Sequence, residues 1–127
     1  MLRKLQLEGR LAFLTPQVRG TLNEKLSALD ERVMPHSLAI LLGIDYSEAL
    51  LLLTILGKEG VCRNRLLIYH NCEPDVPIGS IPFGSGYPNL PFVCRNCDAA
   101  IEDLNELSYD LESTVIIPAE LVEDAPA

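Results

Sequence analysis

Apolar positions in the first half of the chain recur at helical spacing. Val18, Leu22, Leu26, Leu29 and Val33 follow one another at three- and four-residue steps, which from Gln17 onward predicts a helix with one buried face. Pro35 suits the first turn of a second helix through Leu38, Ala39, Leu41 and Leu42, with Gly43 as its stop. Asp45 followed by Glu48 reads as the cap of a third helix that runs to about Lys58 and ends at Gly60. Before Gln17 the pattern has two readings. Leu5, Leu7, Leu11 and Phe13 alternate as in a strand, whereas Leu7, Leu11 and Leu14 also fit a helix.

Beyond Gly60 the character changes. Val61 to Tyr69 predicts a strand, or a short hairpin around Arg63-Asn64. Pro74 to Pro91 holds five of the nine prolines and three of the eight glycines, the composition of an irregular loop. Leu107, Tyr109 and Leu111 alternate with Ser108, Asp110 and Glu112 as in a half-buried strand, and Val115 to Pro118 suggests another. Residues 123–127 read as a frayed tail. The longest uncharged apolar run, Ala49 to Gly57, spans nine positions, against the ~20 that a membrane-crossing helix needs. Charge at Arg3, Lys4 and Glu8 argues against a secretory signal.

Three helices followed by strand, with Leu41-Leu42-Gly43-Ile44-Asp45-Tyr46-Ser47-Glu48-Ala49 continued to Glu59-Gly60-Val61, resemble the winged helix-turn-helix superfamily over residues 17–70. That resemblance implies a third helix that enters the DNA major groove. Its inner stripe is Ala49, Leu52, Leu53 and Leu56. The outer face carries Ser47, Leu51, Thr54 and Lys58, flanked by Glu48 and Ile55. Base reading calls for Arg, Lys, Asn or Gln there. Leu51, Thr54, Ile55 and Lys58 instead suggest a protein-binding patch, unless the first fourteen residues or the 74–91 loop cover it. Arg63 and Arg65, on the expected wing, are the residues with which the chain would grip phosphates.

Charge points the same way. Residues 1–72 hold nine basic and seven acidic residues, whereas residues 73–127 hold Arg95 and eleven acids, within a net charge of −8. Such a C-terminal half repels a phosphate backbone.

Four cysteines in a chain whose first residues do not read as a secretory signal lead to the expectation of a reducing cytoplasm, where clustered cysteines more often hold metal than form disulfides. Cys94-Arg95-Asn96-Cys97 is a C-x-x-C knuckle, able to wrap a tetrahedral zinc from a tight turn. Cys72 and His70, two positions apart, face one way if that segment is extended. The set His70, Cys72, Cys94 and Cys97 then makes a closed structural zinc site. Cys62 competes with His70 for the fourth place, or is a buried thiol; a site without metal is the third alternative. The 72–94 gap resembles a zinc ribbon, although Tyr69 stands where the first knuckle would have cysteine. Glu73 and Asp98 stand where glycine commonly follows each knuckle.

Four protein ligands close the metal shell to water, and no glycine motif for phosphate or oxyanion binding precedes a helix, so the chain is not expected to be an enzyme. The expected class is α+β: an N-terminal extension (1–16), a winged helix-turn-helix (17–70), an appended small β zinc-ribbon-like module (71–122) and a disordered tail (123–127). In order of elements this resembles archaeal transcription factor E and the eukaryotic TFIIE alpha subunit, and also small accessory components of prokaryotic conflict systems. The expected role is a non-enzymatic adaptor that binds another protein in a regulatory or defence complex. The alternative is a winged-helix DNA-binding transcription regulator that uses Arg63 and Arg65, as a homodimer that gathers charge.

Overall fold

Thr15 and Pro16 start the first helix one residue earlier than the apolar pattern does. In the computed structural model, which describes residues 2–6, 11 and 13–122, α1 spans Pro16–Leu26. The Thr15 hydroxyl accepts the Val18 amide at 3.2 Å, and Pro16 at the first position has no N–H to leave unpaired. The helix stops at Leu26, so Leu29 is 59% exposed and Val33 lies in a strand. Backbone pairing wins over helix propagation here. The amide of Asp30, at φ 65°, donates to Val115 O (2.8 Å), and the Val115 amide donates to Glu31 O (2.9 Å).

The short strand β2 (Arg32–Val33) leads into α2 (Pro35–Leu42) and α3 (Tyr46–Lys58). Gly43, at φ 66°, takes the left-handed conformation that ends α2. The direction of the chain changes by 113° between the two helices. Asp45 and Glu48 form the expected reciprocal capping box, with Asp45 N–H on Glu48 Oε1 at 2.9 Å. Ala49, Leu52, Leu53 and Leu56 are fully buried, with Leu22, Leu26 and Leu38.

The chain divides into two units, residues 1–63 with 113–127, and residues 64–112. The divisions fall inside the two long strands β3 (Cys62–His70) and β7 (Leu107–Val115), so the first unit is assembled from both ends of the sequence. Its edge is a parallel pair, β1 (Arg3–Leu5) on β8 (Ala119–Leu121). Leu5, Ala119 and Leu121 are buried there, and Lys4 pairs with Glu120 at 2.6 Å. The strand predicted at Val115 to Pro118 is thus displaced: Val115 ends β7, and the Ile116 and Ile117 amides both turn onto Val61 O. Parts of the expected N-terminal extension (residues 1, 7–10 and 12) and the expected tail lie outside the described residues.

Asn23 joins α1 to β8. Its Nδ2 donates to Leu121 O (3.1 Å), and its Oδ1 accepts the Leu121 amide (2.7 Å), which pairs the amide side chain with the backbone N–H and C=O of one residue. Asn23→Ala leaves two part-buried peptide groups unpaired. The expected loss is about 1–3 kcal/mol, read as a lower denaturant midpoint at unchanged m-value.

β3 is an unbroken strand from Cys62 to His70, without a hairpin at Arg63-Asn64. The segment 74–91 is not wholly irregular, because β4 (Gly79–Pro82) pairs antiparallel with β3, Leu66 opposite Ile81. The four-stranded sheet has the order β2-β7-β3-β4. A separate hairpin joins β5 (Phe92–Val93) to β6 (Ala100–Ile101), and a short 3₁₀ turn, Leu104–Glu106, leads into β7. The unit's own core is small: Ile68, Ile78, Cys94, Ile101 and Leu107, with Ile81, Phe92, Leu104 and Tyr109 packed against it. Phe83, Tyr87 and Leu90 of the same loop remain exposed. Among the described residues no single helix is long and apolar enough to cross a membrane.

Candidate metal centre

The β5–β6 hairpin shapes one half of the site. Cys94 N–H donates to Ala99 O (2.9 Å), and Asp98 N–H donates back to Cys94 O (2.8 Å). Asp98 adopts φ 62°, the left-handed turn for which glycine is usual; aspartate tolerates it at modest cost. The tight turn aims the amides of Asn96 and Cys97 at Cys94 Sγ. Burial pushes the Cys94 thiol up, but these two amides and the Cys72 and Cys97 thiols more than offset it, pulling it down to about 6. The sulfur is therefore prepared to exist as thiolate, the form that binds metal.

The other half forms where β3 ends. His70 bridges to Glu73, whose amide donates to His70 O at 3.1 Å. Cys72 thus sits in a turn, and it is this turn, not strand alternation, that brings its sulfur beside His70. Glu73 keeps a negative φ, so this half closes without a left-handed residue.

The two halves converge. The ligand atoms of His70, Cys72, Cys94 and Cys97 all lie within 4.8 Å of one another. Cys72 Sγ is 3.6 Å from Cys94 Sγ, and Cys97 Sγ is 3.5 Å from His70 Nδ1. Cys94 is buried and Cys72 and Cys97 are exposed, so the site is anchored in the core and open at the surface. Four groups of this kind can hold a metal ion.

The sequence reading missed Asn96. Its Nδ2 donates to Glu73 Oε2 (2.9 Å) and lies 3.5 Å from Cys72 Sγ, tying the second knuckle to the first. Its place inside the C-x-x-C was the available signal. The Asn96 amide draws the Cys72 thiol down, but burial and the Cys94 and Cys97 thiols outweigh it and leave that thiol raised.

Cys62 stands apart from this cluster, buried in the first unit. Burial pushes its thiol up, against a smaller opposing pull from a hydrogen bond with Ser113. Because the folded value lies above the unfolded one, its contribution to stability is full below about pH 8.5 and falls as pH rises further. Wild type is therefore expected to lose more stability than Cys62→Ala between pH 7 and pH 10, measured by urea unfolding.

The residues proposed from the third helix are differently placed. Leu51 and Lys58 are exposed, whereas Thr54 and Ile55 are half-buried, and the Thr54 hydroxyl donates to Leu50 O at 2.8 Å. Arg63 is exposed at the start of β3. Arg65 is engaged, Nε on Ser80 Oγ at 3.0 Å and Nη2 on Ser80 O at 3.2 Å. No family model, curated protein or solved structure matches the chain.

Proposed function

We propose that this chain is a non-enzymatic protein-binding or adaptor module whose acidic unit is held together by one structural zinc ion, bound by His70, Cys72, Cys94 and Cys97. The convergence of four ligand atoms from segments more than twenty residues apart carries this reading. Zinc–sulfur bonds of about 2.3 Å in a tetrahedron give sulfur–sulfur edges of about 3.8 Å, close to the 3.6 Å between Cys72 and Cys94. Four protein ligands leave no open position for water, which favours a structural over a catalytic ion. The segment between the ligands buries only Ile78 and Pro88, too little to offset its own ordering entropy. Structural zinc supplies roughly 10 kcal/mol or more. Reduced thiols suit a cytoplasmic site.

The finer fold assignment is a winged helix-turn-helix. In its favour are the order α1, β2, α2, α3, β3, β7, the 113° turn at Gly43-Ile44-Asp45, and the neighbours β2-β7-β3. On that reading the metal-bearing unit is an enlarged wing between β3 and β7, zinc-ribbon-like at its β5–β6 knuckle, and not an appendage after the domain. The outer face of α3 with exposed Leu51 then serves a protein partner. The same order of elements fits a DNA-binding regulator, for which Arg63 is the cation best placed.

Native mass spectrometry with and without chelator tests the zinc. One zinc per chain, removed by chelator with loss of a folded charge-state distribution, is expected; absence of metal after growth and purification with zinc would overturn it. Binding to random duplex DNA separates the two roles. An adaptor shows little binding at moderate salt, whereas a regulator shows tight binding with a steep salt slope.

A further inference from the structure

We infer that the 64–112 unit carries a groove for a cationic side chain, an arginine or lysine presented by a basic segment of a partner protein. The inference rests on the protein-binding reading above and gives the partner's chemistry. The groove, of about 410 Å³, is lined by Leu66, Phe83, Gly84, Gly86, Tyr87 and Tyr109. Tyr87 and Tyr109 stand 5.4 Å apart between ring centroids, inclined by 57°. That is a tilted aromatic contact, in which the Tyr87 ring keeps most of its surface exposed. Tyr87 is 64% and Phe83 43% exposed, costly for two large aromatics of a small unit unless something else uses them. Gly84 and Gly86 sit at φ +94° and +95°, with open space where a Cβ would stand. The backbone there takes a turn that other residues resist and leaves that wall of the groove bare.

Two observations select the occupant. Aromatic faces carry negative potential and attract an ammonium or guanidinium lying within about 6 Å, while Leu66 and Phe83 offer apolar contact to the alkyl stem below the charge. The surrounding unit has two basic residues, Arg65 and Arg95, against eight acids, and Arg65 is already engaged by Ser80. Its field therefore draws cations and repels anionic partners. A proline-rich peptide also suits aromatic grooves, but it draws nothing from the charge. Phe83, Gly84, Gly86 and Tyr87 belong to the loop whose two ends are the ligands Cys72 and Cys94, so the metal fixes the groove's geometry.

The test is titration of the full-length, zinc-loaded protein with a fluorescent eight-residue peptide that has one central arginine among lysine, glycine and serine. Counterparts carry alanine at the centre, a proline-rich core, or glutamate throughout in place of the basic residues. Ring-proton NMR of Tyr87 and Tyr109 is followed in parallel. The arginine peptide is expected to bind saturably, shift both rings, and bind at least about fivefold more tightly than the alanine peptide. Tyr87→Ala should remove that preference and Tyr87→Phe retain it, both with one zinc per chain. Equal binding of the arginine and alanine peptides, tighter binding of the proline or glutamate peptide, or no saturable binding overturns the inference. An unaltered preference in Tyr87→Ala does so too. Zinc stoichiometry, measured on the same samples, shows separately whether the metal reading has failed.

Discussion

Cys94→Ser is expected to reduce bound zinc from one equivalent per chain to less than about a tenth and to abolish the order of residues 64–112. Cys94 is both one of the four groups able to hold a metal ion and a member of the unit's apolar core, so the substitution removes a sulfur donor and places a hydroxyl where no water reaches. Structural zinc sites contribute roughly 10–16 kcal/mol of apparent binding free energy. The small apolar cluster around Cys94 cannot replace that. Hydrogen exchange should show the loss at Ile78, whose amide donates to Ile68 O at 2.7 Å, and at Phe83, bonded to Asn64 O at 3.1 Å. Amides of α1, α2 and α3 should stay protected. Chelation of the wild-type protein should reproduce the same exchange pattern with no change of sequence, and Cys62→Ser should retain the metal. Full zinc occupancy in Cys94→Ser, or unchanged exchange after chelation, would show that the ion is not what holds this unit.

A pair of leucines two residues apart gives the second large effect. Leu53→Ala should cost about 2–5 kcal/mol, because its side chain is fully enclosed and the cavity left behind adds to the lost transfer energy. Leu51→Ala should change stability by no more than about 0.5 kcal/mol, since Leu51 is 47% exposed on the opposite side of α3. Chemical unfolding of the two variants checks both values. If α3 carries the partner surface, Leu51→Ala also weakens capture of the partner while leaving the denaturant midpoint in place. A large stability loss from Leu51→Ala would instead mean that the chain itself covers this face.

The helices that depend on neighbours in sequence were legible. Asp45 and Glu48 close their capping box across three residues, Gly43 takes the left-handed turn, and the α3 stripe emerges from spacing alone. Reading failed where a distant strand intervened. Leu29 and Val33 continue the α1 spacing, yet Val33 pairs with Ser113 across eighty residues, and that ladder ends the helix. Pro74 to Pro91 has loop composition, but Ile81 opposite Leu66 makes part of it strand.

For the site, the C-x-x-C spacing and the turn chemistry of Asp98 were local and so readable. The pairing of His70 with Cys72 followed from a rule of strand alternation, whereas the geometry that unites them is a turn closed by the His70–Glu73 bridge. Asn96, which spans both halves, and the contact between Tyr87 and Tyr109 depend on residues about twenty positions apart. No short-range pattern encodes such meetings. By itself the sequence determined the three helices, their caps, the charge division and the C-x-x-C half of the candidate metal site, because each depends on residue type and spacing within a few positions. Only the tertiary structure decided that the chain's two ends share one unit, that four ligands reach one point, and which aromatics stay outside, because those outcomes depend on strand pairing and burial between segments far apart along the chain.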